Sequence, residues 1–473
     1  MSHEKEIMYC PDGHSSNDII YNNRKNDIDI FHGKCELCTK EHIIQEFGTW
    51  SCGNVEIDKV VQESQKNYQG YYGYQLQWIP YDNFRDIEHI ADGRYGSVYS
   101  AISKNGIKWY WNFNKQNWKY YYVGKKALKE INDSKYDISG FLKEIQSIQI
   151  VEQQSCITRC IGISKNPFTQ NYIIVMDLYD NSLHKFLTKN FGNLRSKTKI
   201  GLLCNITTGL NCLHVKNLVH RDLHSGNILI RNNSNSYDAS ITDLGLCKLE
   251  TGLILKSDNK SNNIYGSIPY IPPEVLRGNS FTKEGDIYSF GGIMYEMATG
   301  KLPFYDRAHD THLIIDICKG IRPRIPDVML DWIPKSYSDL MYQCWSDDPS
   351  NRPIADEFYD LYEKIYQQFK ITDENQEKEI KSEKHESFLS SSISHPQSCY
   401  ISRSIHALHG LHNSLEDIKS GKFQDPNLLK SNESTASSVS TYDIDSKESQ
   451  ECIDWEKEIQ NHAKKDHSLI SQL

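Results

Sequence analysis

The stretch NLVHRDLHSGNILI, residues 217–230, constrains the fold of this chain more than any other segment. Two apolar runs enclose a polar centre that contains a carboxylate, Asp222, a cation, Arg221, and an amide, Asn227. Such groups are costly to bury unless each of them has a hydrogen-bonding partner. The stretch therefore predicts a polar loop held between two core segments, with Asp222 and Asn227 close together on it.

Composition indicates a soluble globular protein with more than one region. Of 473 residues, 38% are hydrophobic and 24% are charged, and the length exceeds that of one ordinary core. The formal net charge of −9 argues against a nucleic-acid or anionic-membrane partner. No signal-peptide pattern and no apolar run of about 18 residues is found. We therefore expect a cytoplasmic location, where most of the 13 cysteines remain reduced thiols.

Composition also divides the chain into four regions. Clustered Cys and His residues occupy 1–60, a linker is expected at 61–83, and periodic apolar patterns fill 84–369. Residues 370–473 are charged and Ser-rich, so they bury too little apolar surface to offset chain entropy. We expect this tail to be mostly disordered, with RSIHALHGLHNSLEDIK, residues 403–419, as one short helix.

The region 84–369 changes from strand patterns to helix patterns near residue 180. Before that point, aromatic and β-branched segments such as GSVYSAI, KWYWNF and NYIIVMDLY predict strands, while SGFLKEIQSIQIV has helical spacing. After it, KTKIGLLCNITTGLNCLH, IYSFGGIMYEMATG and IADEFYDLYEKIYQQF predict helices. This order predicts an α+β fold with a β-rich lobe, a helical lobe and a ligand cleft between them.

Two elements of the β-rich part suit a phosphate ligand. Gly93 and Gly96 stand at a strand–turn–strand, where glycine lets the backbone approach a phosphate. Lys129 ends the apolar strand KKALK, and Glu144 follows on the amphipathic helix, so the two could pair while the ammonium holds a phosphate. Taken singly, these residues are more often explained by an ordinary hairpin and by two surface charges.

Three elements of the helical part add a base, cation ligands and a structural pair. Asp222 can accept a proton from an attacking hydroxyl, and Asn227 can ligate a cation. Asp243, between a short apolar strand and a glycine in ITDLGLC, completes an oxygen ligand set for Mg²⁺. Glu274 in the triplet PPE and Arg352 in DDPSNRP are expected to form a buried ion pair.

In this order and at these spacings, the elements resemble the signature set of the eukaryotic protein kinases. The resemblance covers roughly residues 84–369, and HRDLHSGN alone is nearly diagnostic. MDLYDNSLHKFL and CWSDDPSNRP resemble the tyrosine-kinase-like branch, and FGTWSCGN with LQWIPYDNF resembles an expanded kinase set of arbuscular mycorrhizal fungi. The resemblance implies a bilobal protein kinase fold.

The resemblance also implies transfer of the γ-phosphoryl group of MgATP to hydroxyls of protein substrates. Asp222 would deprotonate the hydroxyl, Lys129 would hold the α- and β-phosphates, and Glu144 would position Lys129. Asn227 and Asp243 would hold Mg²⁺. The nucleotide would contact Ala91, Gly93, Gly96, Val98, Ala127, Lys129, Met176, Asp177 and Tyr179. The core of the active state would be supported by Ile148, His220, Leu244 and Asp286.

The chain departs from the family pattern at several positions. Ala91 replaces the first glycine of the Gly-rich loop, Leu244 replaces the Phe of the DFG triplet, and Pro272 replaces the Ala of the APE triplet. No invariant catalytic residue is missing, so we expect an active enzyme. The alternatives are a pseudokinase scaffold with weak or no catalysis, and a zinc-dependent binding module that the kinase domain regulates.

Residues near Asp222 bear on specificity and control. His224 stands where Ser/Thr kinases usually have Lys, but Ser267 stands where they keep a Thr and the arginines of tyrosine kinases are absent, which favours Ser/Thr substrates. Arg221 indicates control by phosphorylation of the activation loop. The candidate acceptors are Ser257, Ser261, Tyr265 and Ser267.

The aromatic insert KNGIKWYWNFNKQNWKYYYV, residues 104–123, admits two interpretations. It is either a hairpin that docks a partner or a twisted hairpin that covers the small lobe through cross-strand aromatic pairs.

The first region contains a candidate zinc site. Cys10 and His14 precede a CxxC formed by Cys35 and Cys38, and these four residues could bind Zn²⁺ tetrahedrally. The similar fungal kinases carry two CxxC pairs here, and this chain keeps the second. Alternative ligands are His32, His42 and Cys52, and a flexible segment with free thiols is the other interpretation. The substrate and the oligomeric state are left open by the sequence.

Overall fold

Two compact units make up the described chain. In the computed structural model, the described residues are 7–21, 24–66, 76–93, 96–121, 124–151, 156–234, 236–249, 263–358, 362, 364–368, 394–408, 418 and 425–428. The first unit comprises Met1–Tyr179 with Asp243–Gly245, and the second comprises Asp180–Thr242 with Leu246–Leu473. The first is rich in strands and the second in helices, which confirms the predicted α+β class.

Strands dominate the first unit because its segments are rich in aromatic and β-branched residues. Its strands are β1 Ile19–Tyr21, β2 Arg24–Lys25, β3 Ile28–Asp29, β4 Lys34–Cys35, β5 Gln77–Trp78, β6 Phe84–Gly93, β7 Gly96–Ser103, β8 Ile107–Asn112, β9 Asn117–Tyr121, β10 Lys126–Ile131, β11 Cys160–Lys165 and β12 Tyr172–Asp177. Its α-helices are α1 Glu36–Gln45, α2 Val55–Lys66 and α3 Ser139–Ile150.

A six-stranded sheet in the order β5-β11-β12-β10-β7-β6 forms the centre of the first unit. Only the β5–β11 pair is parallel among its strand pairs. All six residues of β10 are buried, because this strand lies between β7 and β12. One face packs a core that contains Leu128, Ile161 and Val175. The sheet therefore holds β10, and with it Lys129, in a fixed register.

The aromatic insert forms the hairpin β8–β9, and its partner is the start of the same chain. Trp111 and Trp118 face each other across the hairpin with ring centroids 5.7 Å apart. β4 pairs with β8, which makes a four-stranded sheet in the order β3-β4-β8-β9. His42 of α1 stacks on Trp111 at 3.8 Å. The hairpin thus packs against the Cys-containing region, which neither interpretation of the sequence anticipated.

The segment expected to be a linker, 61–83, has regular elements near both of its ends. Its first residues belong to α2, which buries Ile57 and Val61 completely. Its last residues include β5, an edge strand of the six-stranded sheet. The Gln65 side chain donates to the Leu76 carbonyl oxygen at 2.8 Å, which ties α2 to the chain before β5. The helix was missed because its short apolar stripe lies among polar residues.

The second unit consists mainly of helices that begin after residue 180, as predicted. Its α-helices are α4 Leu183–Asn190, α5 Ser196–Val215, α6 Pro273–Leu276, α7 Lys283–Thr299, α8 Thr311–Cys318 and α9 Lys335–Cys344. Its strands are β13 Asn181–Ser182, β14 Leu218–Val219, β15 Ile228–Asn233, β16 Ser236–Ile241, β17 Lys248–Leu249, β18 Asn263–Gly266 and β19 Arg403–His406. Residues 358, 362 and 364–368 of the last predicted helix are also helical.

Helix α7 is the centre of the second unit. Every residue from Gly285 to Thr299 is buried, so this helix contacts neighbours on all sides. It ends at Gly300, whose φ of 68° is in the left-handed region that terminates helices. Among the residues that the structure describes, no helix is long and apolar enough to cross a bilayer.

Part of the tail has defined structure within the second unit. β19 pairs antiparallel with β18, and Ile405 and Ala407 are almost fully buried. The prediction of a helix starting at Arg403 is wrong for its first four residues, which are a strand. Most of the remaining predicted helix lies outside the described residues. The strand that pairs with it, β18, lies about 140 residues earlier in the sequence, so the local sequence gave no sign of this pairing.

A buried ion pair links two distant segments of the second unit. Arg352 donates to both carboxylate oxygens of Glu274, at 2.7 and 2.8 Å, and to the Glu284 carbonyl oxygen at 3.0 Å. The Arg352 side chain is fully buried, and that of Glu274 is 12% exposed. This bidentate geometry confirms the pair expected from the sequence, and it joins the start of α6 to the chain after α9.

We predict that Arg352→Met destabilises the second unit by about 3–5 kcal/mol, because Glu274 is left with an uncompensated buried charge. Denaturant unfolding monitored by tryptophan fluorescence measures this loss. The control is Lys335→Met, which removes an exposed i,i+4 pair with Asp339 and should change stability by less than about 1 kcal/mol. Equal unfolding midpoints for the two variants would contradict the assignment.

Candidate active site

The first unit brings together three of the predicted catalytic residues. Lys129 of β10 donates to Glu144 Oε1 of α3 at 2.8 Å and to Asp243 Oδ1 at 3.1 Å. Glu144 lies on the buried face of α3 beside Phe141 and Ile145. The Lys129 and Glu144 side chains are only 11% and 5% exposed, whereas Asp243 is 36% exposed. One ammonium therefore lies between two carboxylates, and Asp243 is the one that reaches solvent.

Burial and charge act in opposite directions on this cluster. Burial disfavours the charged form of Lys129, but the carboxylates of Asp243 and Glu144 outweigh it, so the pKa of Lys129 lies above its ordinary value. Burial also raises the pKa of Glu144, although the Lys129 charge lowers it. Lys129 is therefore held as a cation, which is the state that attracts a phosphate.

Backbone geometry sets the position of Asp243. Its φ of 61° is in the left-handed region, where Asp is one of the few residue types that is enriched. At Gly245, a Cβ atom would stand 3.1 Å from Glu144 Oε2, so a larger residue would press on the carboxylate that holds Lys129. The turn at 243–245 and the Lys129 cluster therefore depend on each other.

Glycine is required at 96 for close packing. β6 and β7 pair with Ala91 opposite Val98 and Gly93 opposite Gly96. A Cβ atom at Gly96 would stand 1.9 Å from the Glu130 carbonyl oxygen, which no side chain can tolerate. Val98 is in turn the register partner of Lys129. The glycine that the sequence analysis assigned to phosphate contact thus also lets β7 lie against β10.

The residues expected to contact adenine lie on the neighbouring strands β10 and β12. Ala127 is paired with Met176, and both are buried. Lys126 donates to Asp177 Oδ1 at 2.8 Å, and its side chain is only 3% exposed. Tyr179 is the last residue of the continuous part of the first unit.

The second unit holds the polar loop on a single buried carboxylate. Asp286 of α7 accepts hydrogen bonds from the backbone N–H of His220 at 2.7 Å and of Arg221 at 2.9 Å. His214 lies 3.0 Å from the same carboxylate. The Asp286 side chain is 1% exposed, so it satisfies otherwise orphaned donors in the core. This answers how the polar centre is buried between two apolar runs.

The rest of the loop places Asp222 and Asn227 together. Asn227 Nδ2 donates to the Asp222 carbonyl oxygen at 2.9 Å, which leaves the amide oxygen as the atom that could ligate a cation. The His220 ring lies 3.0 Å from the Thr242 carbonyl oxygen and 3.3 Å from the Asp222 N–H. Asp222 is 9% exposed and is therefore partly desolvated, which strengthens its interactions with a hydroxyl donor.

The structure brings a tail residue to Asp222 that the sequence analysis did not identify. Ser402 Oγ donates to Asp222 Oδ1 at 2.7 Å and lies 3.1 Å from His224 Nε2. Several serines surround Ser402 in the sequence, so nothing marked this one. Pairing of β19 with β18 is what selects it.

The candidate activation-loop acceptors fall into two groups. Ser257 and Ser261 lie outside the described residues. Tyr265 donates its hydroxyl to the Ser402 carbonyl oxygen at 2.6 Å, and Ser267 is 2% exposed with no hydrogen-bond partner for Oγ among the described residues. The Arg221 guanidinium lies 5.5 Å from the Phe281 ring centroid. Control through Arg221 stays a prediction.

The four predicted zinc ligands form one cluster in the first unit. One ligand atom from each of Cys10, His14, Cys35 and Cys38 lies within 4.8 Å of the others. The distances from His14 Nδ1 are 3.4, 3.7 and 3.4 Å to the three sulfurs in that order. Tetrahedral Zn–S bonds of about 2.3 Å place sulfurs roughly 3.8 Å apart, so the spacing suits zinc.

The surroundings of the cluster also suit a metal site. The three cysteines are buried with Ile28 and Phe113. His14 Nε2 lies 3.1 Å from Glu41 Oε1, an outer carboxylate of the kind that orients metal-ligating histidines. The alternative ligands make other contacts: His32 pairs with Asp29, His42 contacts the Cys38 carbonyl oxygen, and Cys52 donates to the Asn54 carbonyl oxygen.

Comparison with known proteins gives a consistent family match. The family model described as "Protein tyrosine and serine/threonine kinase" matches residues 84–364. The chain is 30% identical over 285 residues to "Dual specificity protein kinase shkE" of Dictyostelium discoideum, which covers 59% of this chain and 36% of that protein. It is 27% identical over 296 residues to "Probable serine/threonine-protein kinase gdt4" of the same organism, covering 62% and 16%.

A further relative from the same organism, named as a probable serine/threonine-protein kinase, is 28% identical over 260 residues, covering 53% of this chain and 18% of its own length. The chain thus spans well under two thirds of each of these relatives. The similarity concerns the domain, and it leaves the regions on either side of the domain without a counterpart in the family match.

We predict that Asp286→Ala lowers the free energy of unfolding by about 1–3 kcal/mol for each backbone donor it leaves unsatisfied. The loop from His220 to Asn227 should also lose protection from amide hydrogen exchange, which mass spectrometry of peptides from this region measures. Asp339→Ala, which removes an exposed carboxylate, is the control and should change neither quantity. Unchanged exchange in Asp286→Ala would show that another contact holds the loop.

Proposed function

Because the chain belongs to the protein tyrosine and serine/threonine kinase family, we propose that it transfers the γ-phosphoryl group of MgATP to serine and threonine hydroxyls of proteins. The observation that supports this most directly is the buried cluster of Lys129, Glu144 and Asp243. An ammonium between two carboxylates, one of them half-buried, suits a triphosphate with its cation. The comparison supports family membership, and the activity is our proposal.

In this proposal, residues of the first unit bind the nucleotide. Lys129 contacts the α- and β-phosphates, and Glu144 fixes the ammonium so that little ordering is needed on binding. The strands β6 and β7 cover the phosphates, while β10 and β12 contact the adenine. The binding residues are Ala91, Gly93, Gly96, Val98, Ala127, Lys129, Met176, Asp177 and Tyr179.

Two oxygen donors fit Mg²⁺, namely the Asp243 carboxylate and the Asn227 amide oxygen. When bound, the metal neutralises charge that develops on the phosphate oxygens. The half-exposed carboxylate of Asp243 and the amide of Asn227, whose nitrogen already donates to the Asp222 carbonyl oxygen, support this assignment.

Asp222 is proposed to accept the proton of the substrate hydroxyl during an in-line transfer. Its loop is held by Asp286, so its orientation is set before substrate arrives. The Ser402 hydroxyl at 2.7 Å supports this role, because it demonstrates that a serine Oγ can reach this carboxylate within hydrogen-bonding distance.

Serine/threonine specificity rests on the absence of tyrosine-kinase arginines and on the serine at 267. The alternative is a pseudokinase scaffold in which Ala91 and Leu244 reduce or abolish catalysis. The closer resemblance to the tyrosine-kinase-like branch and to the expanded fungal kinase set is likewise a proposal. We also propose a cytoplasmic location, which the sequence composition favours.

We also propose that Cys10, His14, Cys35 and Cys38 bind a structural Zn²⁺ ion. The cluster offers four ligands and no open position, as structural zinc sites do. Hydrogen bonds from Cys38 and Asn26, opposed by burial, lower the pKa of Cys35 to about 5, and a thiolate is the form that binds metal. Zinc would fasten the chain start to the aromatic hairpin, because Phe113 and Trp111 pack on the cluster.

We expect the purified chain to phosphorylate casein on serine and threonine in the presence of labelled ATP and Mg²⁺. Asp222→Asn should reduce this labelling by about 10²–10⁴-fold, since it removes the proton acceptor. The control is Asp238→Asn, which changes an exposed carboxylate on β16 and should leave the rate unchanged. Equal labelling in Asp222→Asn and wild type would exclude Asp222 as the base. No labelling by wild type would favour the scaffold.

We expect elemental analysis of the chain, purified without chelators, to find stoichiometric zinc. Cys35→Ser should lower the zinc content and the thermal stability, because it removes one ligand from the buried cluster. Cys52→Ser, which alters a buried thiol outside the cluster, should retain zinc. Absence of zinc in the wild-type chain, or equal zinc in Cys35→Ser and wild type, would contradict the site.

A further inference from the structure

A described segment of the tail, residues 394–408, docks on the second unit through its backbone. The His395 N–H donates to the Tyr305 carbonyl oxygen at 2.8 Å, and the His309 N–H donates to the Gln397 carbonyl oxygen at 3.0 Å. The His309 ring contacts the Cys399 carbonyl oxygen at 2.7 Å, and Tyr400 donates its hydroxyl to the Pro303 carbonyl oxygen at 3.1 Å. These contacts fix the chain just before Ser402.

The chain after Ser402 is fixed equally well. β19 pairs with β18 from Gly266 opposite Arg403 to Asn263 opposite His406. Arg403 donates to the His309 and Asn427 carbonyl oxygens, at 2.9 and 2.7 Å. Tyr265 of β18 donates to the Ser402 carbonyl oxygen itself. Ser402 is thus held from both sides.

The Ser402 hydroxyl is oriented as a nucleophile toward a base. The Gly226 N–H donates to His224 Nδ1 at 3.1 Å, so in the neutral ring Nε2 carries the proton and donates to Ser402 Oγ. The Ser402 proton is then directed to Asp222 Oδ1 at 2.7 Å. Oγ keeps a lone pair for attack while its proton points at the carboxylate proposed as the base.

We propose that Ser402 is a modification site, the acceptor in an intramolecular phosphoryl transfer from MgATP, and this rests on the kinase function proposed above. A bond forms between Ser402 Oγ and the γ-phosphorus, and the bond from that phosphorus to the β,γ-bridging oxygen breaks. The Ser402 proton passes to Asp222, and ADP leaves. The tail strand is therefore a substrate in cis, and until it is modified it occupies the place of an external hydroxyl at Asp222.

Phosphorylation of Ser402 would replace its attraction to Asp222 with a repulsion. A phosphate of about −1.5 to −2 charge would replace a hydroxyl that donates to a carboxylate, so it would repel Asp222. Phosphorylation of Ser402 therefore releases β19 and opens Asp222 to external substrates, which gives a lag in external phosphorylation that ends as Ser402 is modified.

The experiment uses the full chain with MgATP, casein and site mapping by mass spectrometry. Wild type, Ser402→Ala, Ser402→Thr and Asp222→Asn are compared with Ser404→Ala, a control on the same strand whose side chain is exposed. We expect phosphate on residue 402 in wild type, Ser404→Ala and Ser402→Thr, and none in Asp222→Asn. Phosphorylation of residue 402 should follow first-order kinetics, with a rate constant that does not depend on chain concentration. Ser402→Ala cannot acquire the repelling phosphate, so it should phosphorylate casein at the low initial rate throughout.

The outcomes separate this proposal from the proposed function. Phosphorylation of casein by wild type with residue 402 unmodified would overturn the acceptor role and leave the kinase function standing. A rate that rises with chain concentration, or labelling of a tagged Asp222→Asn chain by wild type, would overturn transfer in cis. Absence of phosphate on both casein and Ser402 would overturn the kinase function and this proposal with it.

Discussion

The buried ammonium of Lys129 is the constraint on which the nucleotide-binding unit depends. A cation in a strand whose six residues are all buried is tolerable only beside anions, and Glu144 and Asp243 supply two. The packing of three neighbouring segments follows from this cluster. α3 must present Glu144 to β10, the turn at 243–245 packs closely against the Glu144 carboxylate, and β7 needs glycine at 96 to pack against β10.

In the second unit, the buried polar groups that need a partner are neutral backbone N–H donors. Its polar loop lies between apolar segments, and the Asp286 carboxylate of the central helix satisfies two consecutive backbone N–H groups. Asp222 therefore lies on a loop whose position does not depend on bound substrate. The tail makes use of this fixed geometry, because a strand pairing beside the loop brings one serine among many to the carboxylate.

Much of both units was predictable from sequence, where local patterns carry the information. Lys129 and Glu144 stand on a strand and a helix with clear periodicity, and Glu274 and Arg352 belong to recognisable triplets and turns. The four zinc-cluster residues were also found, since cysteine and histidine spacing is itself a signal. The roles assigned to these residues remain proposals, although their positions in each unit agree with them.

What the sequence did not reveal depends on contacts between distant segments. The stretch at 61–83 looked like a linker because α2 has a short apolar stripe and β5 has only two residues, and both are stabilised by packing. Arg403–His406 was predicted as helix, but its pairing with Asn263–Gly266 made it a strand. The aromatic hairpin gave no sign that it packs on the chain start through β4. Tertiary pairing overrides local preference in each case.

The most direct test of the account is calorimetric binding of MgATP to the wild-type chain and to Lys129→Met. Loss of charge-assisted bonds worth about 1.5–3 kcal/mol should weaken binding roughly 10- to 100-fold. Lys125→Met, which removes an exposed pair with Glu88, should bind as wild type does. Equal affinity of Lys129→Met and wild type would contradict the claim that the buried ammonium is held for a phosphate.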